Sequence, residues 1–187
     1  MFLQITIIHK QENVGAVELA TMSFGQSFQI TPVQMLRAVA AIVNGGKLVT
    51  PHFGLYTSSS DGSVVNEFAY STEEEAISLQ TSEMMKQILE GVVSEGGGTK
   101  AYIEGYSIGG KTATSQKLPR GSGKYISSFI GFAPAENPQV IAMCLIDEPT
   151  GVYYGGTIAA PVVKTLYENI LPYLGIERSV QLEKNSD

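Results

Sequence analysis

Two apolar runs joined by a very short link constrain this chain more than any other feature. Residues 125–133 and 139–146 both read as strands, and only Pro134-Ala135-Glu136-Asn137-Pro138 lies between them. A parallel crossover needs about a dozen residues, so the two runs must pair antiparallel. Ile126, Phe129, Ile130 and Phe132 are the apolar members of the first run. The second is nearly all apolar, which predicts burial of both its faces. A third strand is predicted over residues 106–116.

Helices should flank this sheet. Thr31-Pro32-Val33-Gln34 is a capping box with proline at the first helical position, and Ile30 and Met35 stand at the two staple positions. Met35, Leu36, Val39, Ile42 and Val43 recur on one face, and Asn44-Gly45-Gly46 ends the helix, giving a span of 32–44. A second helix is predicted over 81–94, carried by Met84, Met85, Ile88, Leu89, Val92 and Val93. A last helix is predicted over 157–171, with Pro161 tolerated in its first turn and Pro172 ending it. Between the first two helices, runs 48–56 and 63–70 flank the turn Ser58-Ser59-Ser60-Asp61-Gly62 and suggest a surface hairpin. Glu73-Glu74-Glu75 reads as a solvated charged face. The class is α+β, an antiparallel sheet with flanking helices.

Composition narrows the function classes. Hydrophobic residues make up 43% of the 187 and charged residues 16%, the reverse of a disordered chain. The net charge of −6 lacks the basic footprint of a nucleic-acid binder. Cys144 is the one cysteine, so no intrachain disulfide forms, and its apolar setting predicts a buried, inert thiol. With His9 and His52 in unrelated contexts, no zinc site can be assembled, and no metal or cofactor is expected. No apolar stretch reaches the ~18–20 residues of a membrane span. Residues 1–8 are apolar but lack a basic front and a cleavage site, so they read as a strand or an edge cut from a larger protein. Residues 177–187 are polar and expected to fray. The chain reads as one domain without repeats.

One motif misleads. Gly105 to Thr112 fits G-x-x-x-x-G-K-[ST], the phosphate loop, and the apolar run ending in Asp147 imitates its metal-holding strand. A phosphate loop needs a helix directly after it, because that helix's N-terminus converges on the phosphates. Residues 112–121 carry no helical period and contain Pro119 and Gly121. The ATPase reading is therefore disfavoured.

Lys111-Thr112-Ala113-Thr114 makes better sense as a strand beside a cleft. Alternation puts Lys111 and Ala113 on one face and Thr112 and Thr114 on the other. An ammonium and two hydroxyls can hold a carboxylate. Gly109 and Gly110 allow close approach of a ligand or of another backbone. The plain alternative is an edge strand with ordinary surface lysine and threonines.

The segment Gly109 to Gln116 resembles the lysine–threonine–glycine box of penicillin-interacting serine enzymes. Other segments are similar to class B penicillin-binding proteins in the same order: Asn13 to Gln26, Thr31 to Leu36 with Asn44-Gly45-Gly46, Phe129 to Pro134, and Tyr153 to Val162. The likeness runs from about Asn13 to Gly175 and is greatest for the sporulation type. It implies the C-terminal part of a D,D-transpeptidase domain, one incomplete domain over 1–187. Such an enzyme cross-links peptidoglycan stem peptides through an acyl-serine, on the outer face of the plasma membrane, and is acylated by β-lactams. The resemblance assigns Lys111 to the proton relay and the local positive potential. It assigns Thr112 and Thr114 to the carboxylate of the D-Ala-D-Ala end, and the Thr114 N–H to the oxyanion hole. Gly110 and Ala113 complete the strand that faces substrate.

Two departures qualify it. No Ser-x-x-Lys and no Ser-x-Asn occurs in the chain; Thr114-Ser115-Gln116-Lys117 is the nearest match. Covalent catalysis without a nucleophile has no first step, so the 187 residues alone are expected to be inactive. Ala113 stands where the family has glycine, which would narrow the site slightly and tune affinity. A non-catalytic binding module of the same fold is the alternative. An open edge on the run 139–146 could also pair with another chain or with residues 1–8.

Overall fold

The computed structural model describes residues 10–26, 28–119 and 121–178. Its centre is a three-stranded antiparallel sheet, β5 (Gly109–Gln116), β6 (Tyr125–Ala133) and β7 (Val140–Asp147), in the order β5-β6-β7. The short link between the last two strands does force the antiparallel pairing, with register from Ala133↔Val140 to Ile126↔Asp147. β5 pairs with the other side of β6 from Gly109↔Phe132 to Gln116↔Tyr125.

Helices cover both faces of this sheet. On one face lies α5 (Ala160–Tyr173), preceded by the single turn α4 (Gly155–Ile158). Phe129, Val163, Tyr167 and Leu171 are fully or almost fully buried there. The Tyr167 hydroxyl donates to the Gly131 carbonyl at 2.5 Å, so the phenol enters the core with its polar end satisfied. Burial drives that phenol far above its ordinary pKa. On the opposite face, Phe132 packs with Val43 and Leu89, contributed by α2 (Pro32–Val43) and α3 (Leu79–Ser94). α2 and α3 are joined through Ser82, which is fully buried. Its hydroxyl donates to the Ile42 carbonyl at 2.6 Å and accepts from the Gly45 N–H at 3.0 Å, satisfying two groups freed by the end of α2.

The capping box at Thr31 forms as the sequence requires: the Gln34 N–H reaches the Thr31 hydroxyl at 3.3 Å, and the Thr31 N–H reaches Gln34 Oε1 at 2.8 Å. Gly45 and Gly46 follow with positive φ. α3 begins earlier than its apolar period indicates, because Ser78 caps it and accepts from the Thr81 N–H at 3.1 Å. Upstream lies the short helix α1 (Ala16–Met22).

Several expectations are corrected. The run 48–56 is not one strand. β1 (Lys47–Leu48) pairs with β4 (Glu73–Glu75), whereas β2 (Tyr56–Ser58) pairs with β3 (Val64–Glu67). The acidic triplet forms a strand by backbone pairing, which leaves the reading of a solvated charged face in place, with Glu75 exposed. The run 106–116 begins pairing only at Gly109. Before it, Thr99–Ala101 forms a 3-10 turn, and Tyr106 and Ile108 enter the core from irregular chain. β7 is half-buried rather than buried on both faces, because the helices lie over the middle of the sheet and reach its outer strand only partly. The last helix is broken at Ala159, and Pro172 sits inside its final turn. Cys144 is half-buried and unpaired, and burial pushes its thiol up. Residues 1–8, His9 and residues 179–187 lie outside the described residues.

Candidate functional site

The candidate site is built on β5. Its first two residues are glycines for a packing reason. A Cβ on Gly110 would stand 2.5 Å from Phe129 Cζ and 2.7 Å from the Ile130 carbonyl oxygen, and one on Gly109 would overlap the Phe132 ring. The close approach that these glycines permit is used by the core. Gly110 is buried and lies outside the cleft described below.

Past the glycines the side chains alternate as the sequence requires. Thr112 stands opposite Phe129 and Thr114 opposite Ser127, so both threonines share the face covered by α4 and α5. Lys111 stands opposite Ile130, on the other face. It is exposed, and its ammonium donates to the Thr112 carbonyl at 2.8 Å. The structure therefore separates Lys111 from the two threonines.

The segment from Tyr153 to Thr157 closes over those threonines and is held at three points. The Ser127 hydroxyl donates to the Tyr153 carbonyl. The Tyr153 ring stacks on Tyr125, with centroids 4.0 Å apart and planes 6° from parallel. The Gly155 N–H donates to Thr114 Oγ1 at 3.1 Å. Glycine is required at both following positions. A Cβ on Gly155 would run into the Ala113 and Ser128 carbonyls, and one on Gly156 would lie 2.5 Å from the Gly97 carbonyl oxygen. Backbone thus rests directly on backbone.

A cleft of about 300 Å³ opens at this junction. β5 contributes Thr112, Ala113 and Thr114. Tyr154, Gly155, Gly156 and Thr157 form the second wall, and Gly97, Thr99 and Lys100 the third. Among the described residues the lining carries four threonines, a tyrosine and a lysine, and no carboxylate. The Gly155 bond also sets a direction. Because Thr114 Oγ1 already accepts a hydrogen bond, its own hydrogen is free to be donated. The Tyr153 side chain raises the phenol of Tyr154 above its ordinary value, which favours the protonated, hydrogen-donating form. These groups suit an anionic ligand.

At the far end of the sheet Lys117 is ion-paired with Asp147 at 3.0 Å and with Glu148 at 2.8 Å, and Lys124 meets Glu148 at 3.0 Å. The Thr-x-x-Lys near-match thus ends in a structural ion cluster.

Sequence reasoning placed Thr112, Ala113 and Thr114 at a cleft but missed its other two walls. The signal for them was present: the glycine run Gly96-Gly97-Gly98 and the pair Gly155-Gly156, each followed by threonine. Glycine doublets mark close backbone approach, although nothing in the spacing says that these two approach each other. The phosphate-loop motif does not form a phosphate loop. Gly105 makes a turn with φ of 81°, and Gly109 onward is strand, with no helix after Lys111. Among the described residues no cluster of metal-ligating side chains occurs.

A family model described as the penicillin binding protein transpeptidase domain matches residues 4–168. Stage V sporulation protein D of Bacillus subtilis is 41% identical over 184 residues, which cover 95% of this chain and 28% of that protein. A probable peptidoglycan D,D-transpeptidase, PenA of Neisseria flavescens, is 34% identical over 91% of this chain and 41% of its own length. Among solved structures, penicillin binding protein 3 from Mycobacterium tuberculosis complexed with ampicillin aligns with a TM-score of 0.82 at 26% identity, over 95% of this chain and 42% of that one. The transpeptidase domain of penicillin-binding protein 3 from Burkholderia pseudomallei aligns with a TM-score of 0.76 at 29% identity, over 92% and 51%. The chain spans 28% and 41% of the length of these two curated relatives.

Proposed function

Since the chain belongs to the penicillin binding protein transpeptidase family, we propose that its 187 residues supply one wall of a peptidoglycan D,D-transpeptidase site. Thr112 and Thr114 hold the terminal carboxylate of a D-Ala-D-Ala stem peptide, or that of a β-lactam. The Thr114 N–H is one oxyanion donor, a contribution of about 2.7–4 kcal/mol in the transition state. Lys111 faces away from the threonines and supports the proton relay at the acyl-serine from the other side of the strand. That serine and its lysine belong to a segment outside these 187 residues, as does the Ser-x-Asn box. The whole protein works at the outer face of the plasma membrane. Among the described residues no helix is long and apolar enough to cross one.

The observation that carries this reading is the cleft along Thr112–Thr114, rich in hydroxyls and, among the described residues, without a carboxylate. Intact-mass spectrometry after incubation with a penicillin tests it. The 187-residue chain gains no mass. A longer chain that also carries a Ser-x-x-Lys segment gains one penicilloyl group. In that longer chain Thr112→Val slows acylation by about 10–100-fold, the worth of a hydrogen bond to a charged group. A stoichiometric adduct on the 187-residue chain would overturn this assignment of parts.

A further inference from the structure

We propose that Lys100, rather than Lys111, provides the positive charge that pairs with the ligand's carboxylate in this cleft. The inference deepens the reading above and rests on it. Lys111 is the charged residue of the strand motif, but it projects from the face opposite Thr112 and Thr114 and spends a hydrogen on its neighbour's carbonyl. Among the described residues, Lys100 is the one charged residue lining the cleft.

Its position is fixed. Lys100 lies in the 3-10 turn Thr99–Ala101, whose next residue, Ala101, is fully buried in the main core with Ile103. The Gly98 N–H bonds the Val92 carbonyl at 2.9 Å, tying the turn to the end of α3. The backbone is therefore anchored at the cleft wall, while the residue stays exposed. Its ammonium is also unused. Lys86, Lys117, Lys124 and Lys164 each meet a carboxylate, whereas Lys100 has no hydrogen bond or ion pair among the described residues. In a chain of net charge −6, an unpaired ammonium in a cleft whose described lining carries no carboxylate favours an anion. The division of labour is then simple. Thr112 and Thr114 direct hydrogens at the carboxylate, and Lys100 neutralises it.

The test uses the 187-residue chain, isotope-labelled and titrated by NMR at low ionic strength. The probes are acetyl-D-Ala-D-Ala and the same dipeptide with a C-terminal amide. The wild-type chain should prefer the acid by about 3–10-fold, the range expected for a partly solvated ion pair with hydrogen bonds. Lys100→Gln should abolish that preference, and Lys100→Arg should keep it. Lys47→Gln, which removes a remote exposed charge, should behave as wild type. A Lys100→Gln chain that still prefers the acid overturns this proposal and leaves the threonine reading standing. An equal loss in Lys47→Gln also overturns it, because net charge would then explain the effect. A wild-type chain without any preference overturns both readings.

Discussion

The sheet β5-β6-β7 and the segment from β1 to β4 are written in similar language and reach different ends. Both have short runs with β-branched and aromatic residues, separated by turn residues. In the sheet, Phe129 and Phe132 are wholly buried because α5 lies on one face and α2 with α3 on the other. In the hairpin β2-β3 every strand residue is exposed, including Tyr56 at 56%, Val64 at 59% and Val65 at 67%. Strand propensity and turn chemistry suffice to pair two strands locally. Stability requires a second layer, and a lone two-stranded ribbon has none. The hairpin is held by local bonds: at its tip the Asp61 carboxylate accepts from the Ser63 N–H at 3.0 Å and from the Ser63 hydroxyl at 2.7 Å, and at its base the Phe68 N–H donates to the Leu55 carbonyl at 2.9 Å.

The largest expected effect sets the two regions against each other. Phe129→Ala should cost about 3–5 kcal/mol, as for a fully buried aromatic, whereas Val65→Ala should fall within about 0.5 kcal/mol. Urea titrations of both variants check this, and a comparable loss in Val65→Ala would break the distinction. A smaller effect is expected where the layer meets the sheet through a polar group. Ser82→Ala should cost about 1–3 kcal/mol, because it leaves the buried end of α2 without its partner. The same titration reads it.

The smallest effect concerns pH, at the far end of the sheet. Lys117, then Lys124, hold the Glu148 carboxyl below its ordinary range. Glu148, then Asp147, hold Lys117 above its own. A lowered carboxyl stabilises fully above its unfolded value, and that contribution fades as pH falls through the lowered one. A raised lysine stabilises below its unfolded value and fades as pH climbs through the raised one. The cluster is thus intact between the ordinary carboxylate and lysine ranges. Hydrogen-exchange protection of the Lys117 and Glu148 N–H groups, which bond Lys124 and Tyr125 carbonyls, should drop outside that window. Protection of the Phe129 amide should not change. Loss at both places would show that the cluster supports the whole sheet.

How much was legible in the sequence follows the same division. Local chemistry reads well. The Thr31 box, the glycines ending α2 and the antiparallel pair across Pro134–Pro138 each follow from a few adjacent residues. Pairing between distant segments reads poorly. Nothing in Lys47-Leu48 or in Glu73–Glu75 names the other as its partner, since ladder bonds are made by backbone that every residue has. The candidate site shows both sides of this. The alternation of Lys111, Thr112, Ala113 and Thr114 is a property of one strand and holds. Lys100 and Tyr154 come to that strand through tertiary packing, which no periodicity encodes.

The meeting of Gly155 and Gly156 with the carbonyls of Ala113, Ser128 and Gly97 has an evolutionary consequence. The floor of the cleft is main chain, and main chain has the same atoms whatever the codon. Drift cannot reshape it without pushing a methyl group into a carbonyl. Variation in ligand preference is therefore channelled to the rim, where Ala113, Lys100 and Tyr154 can change while the floor stays constant.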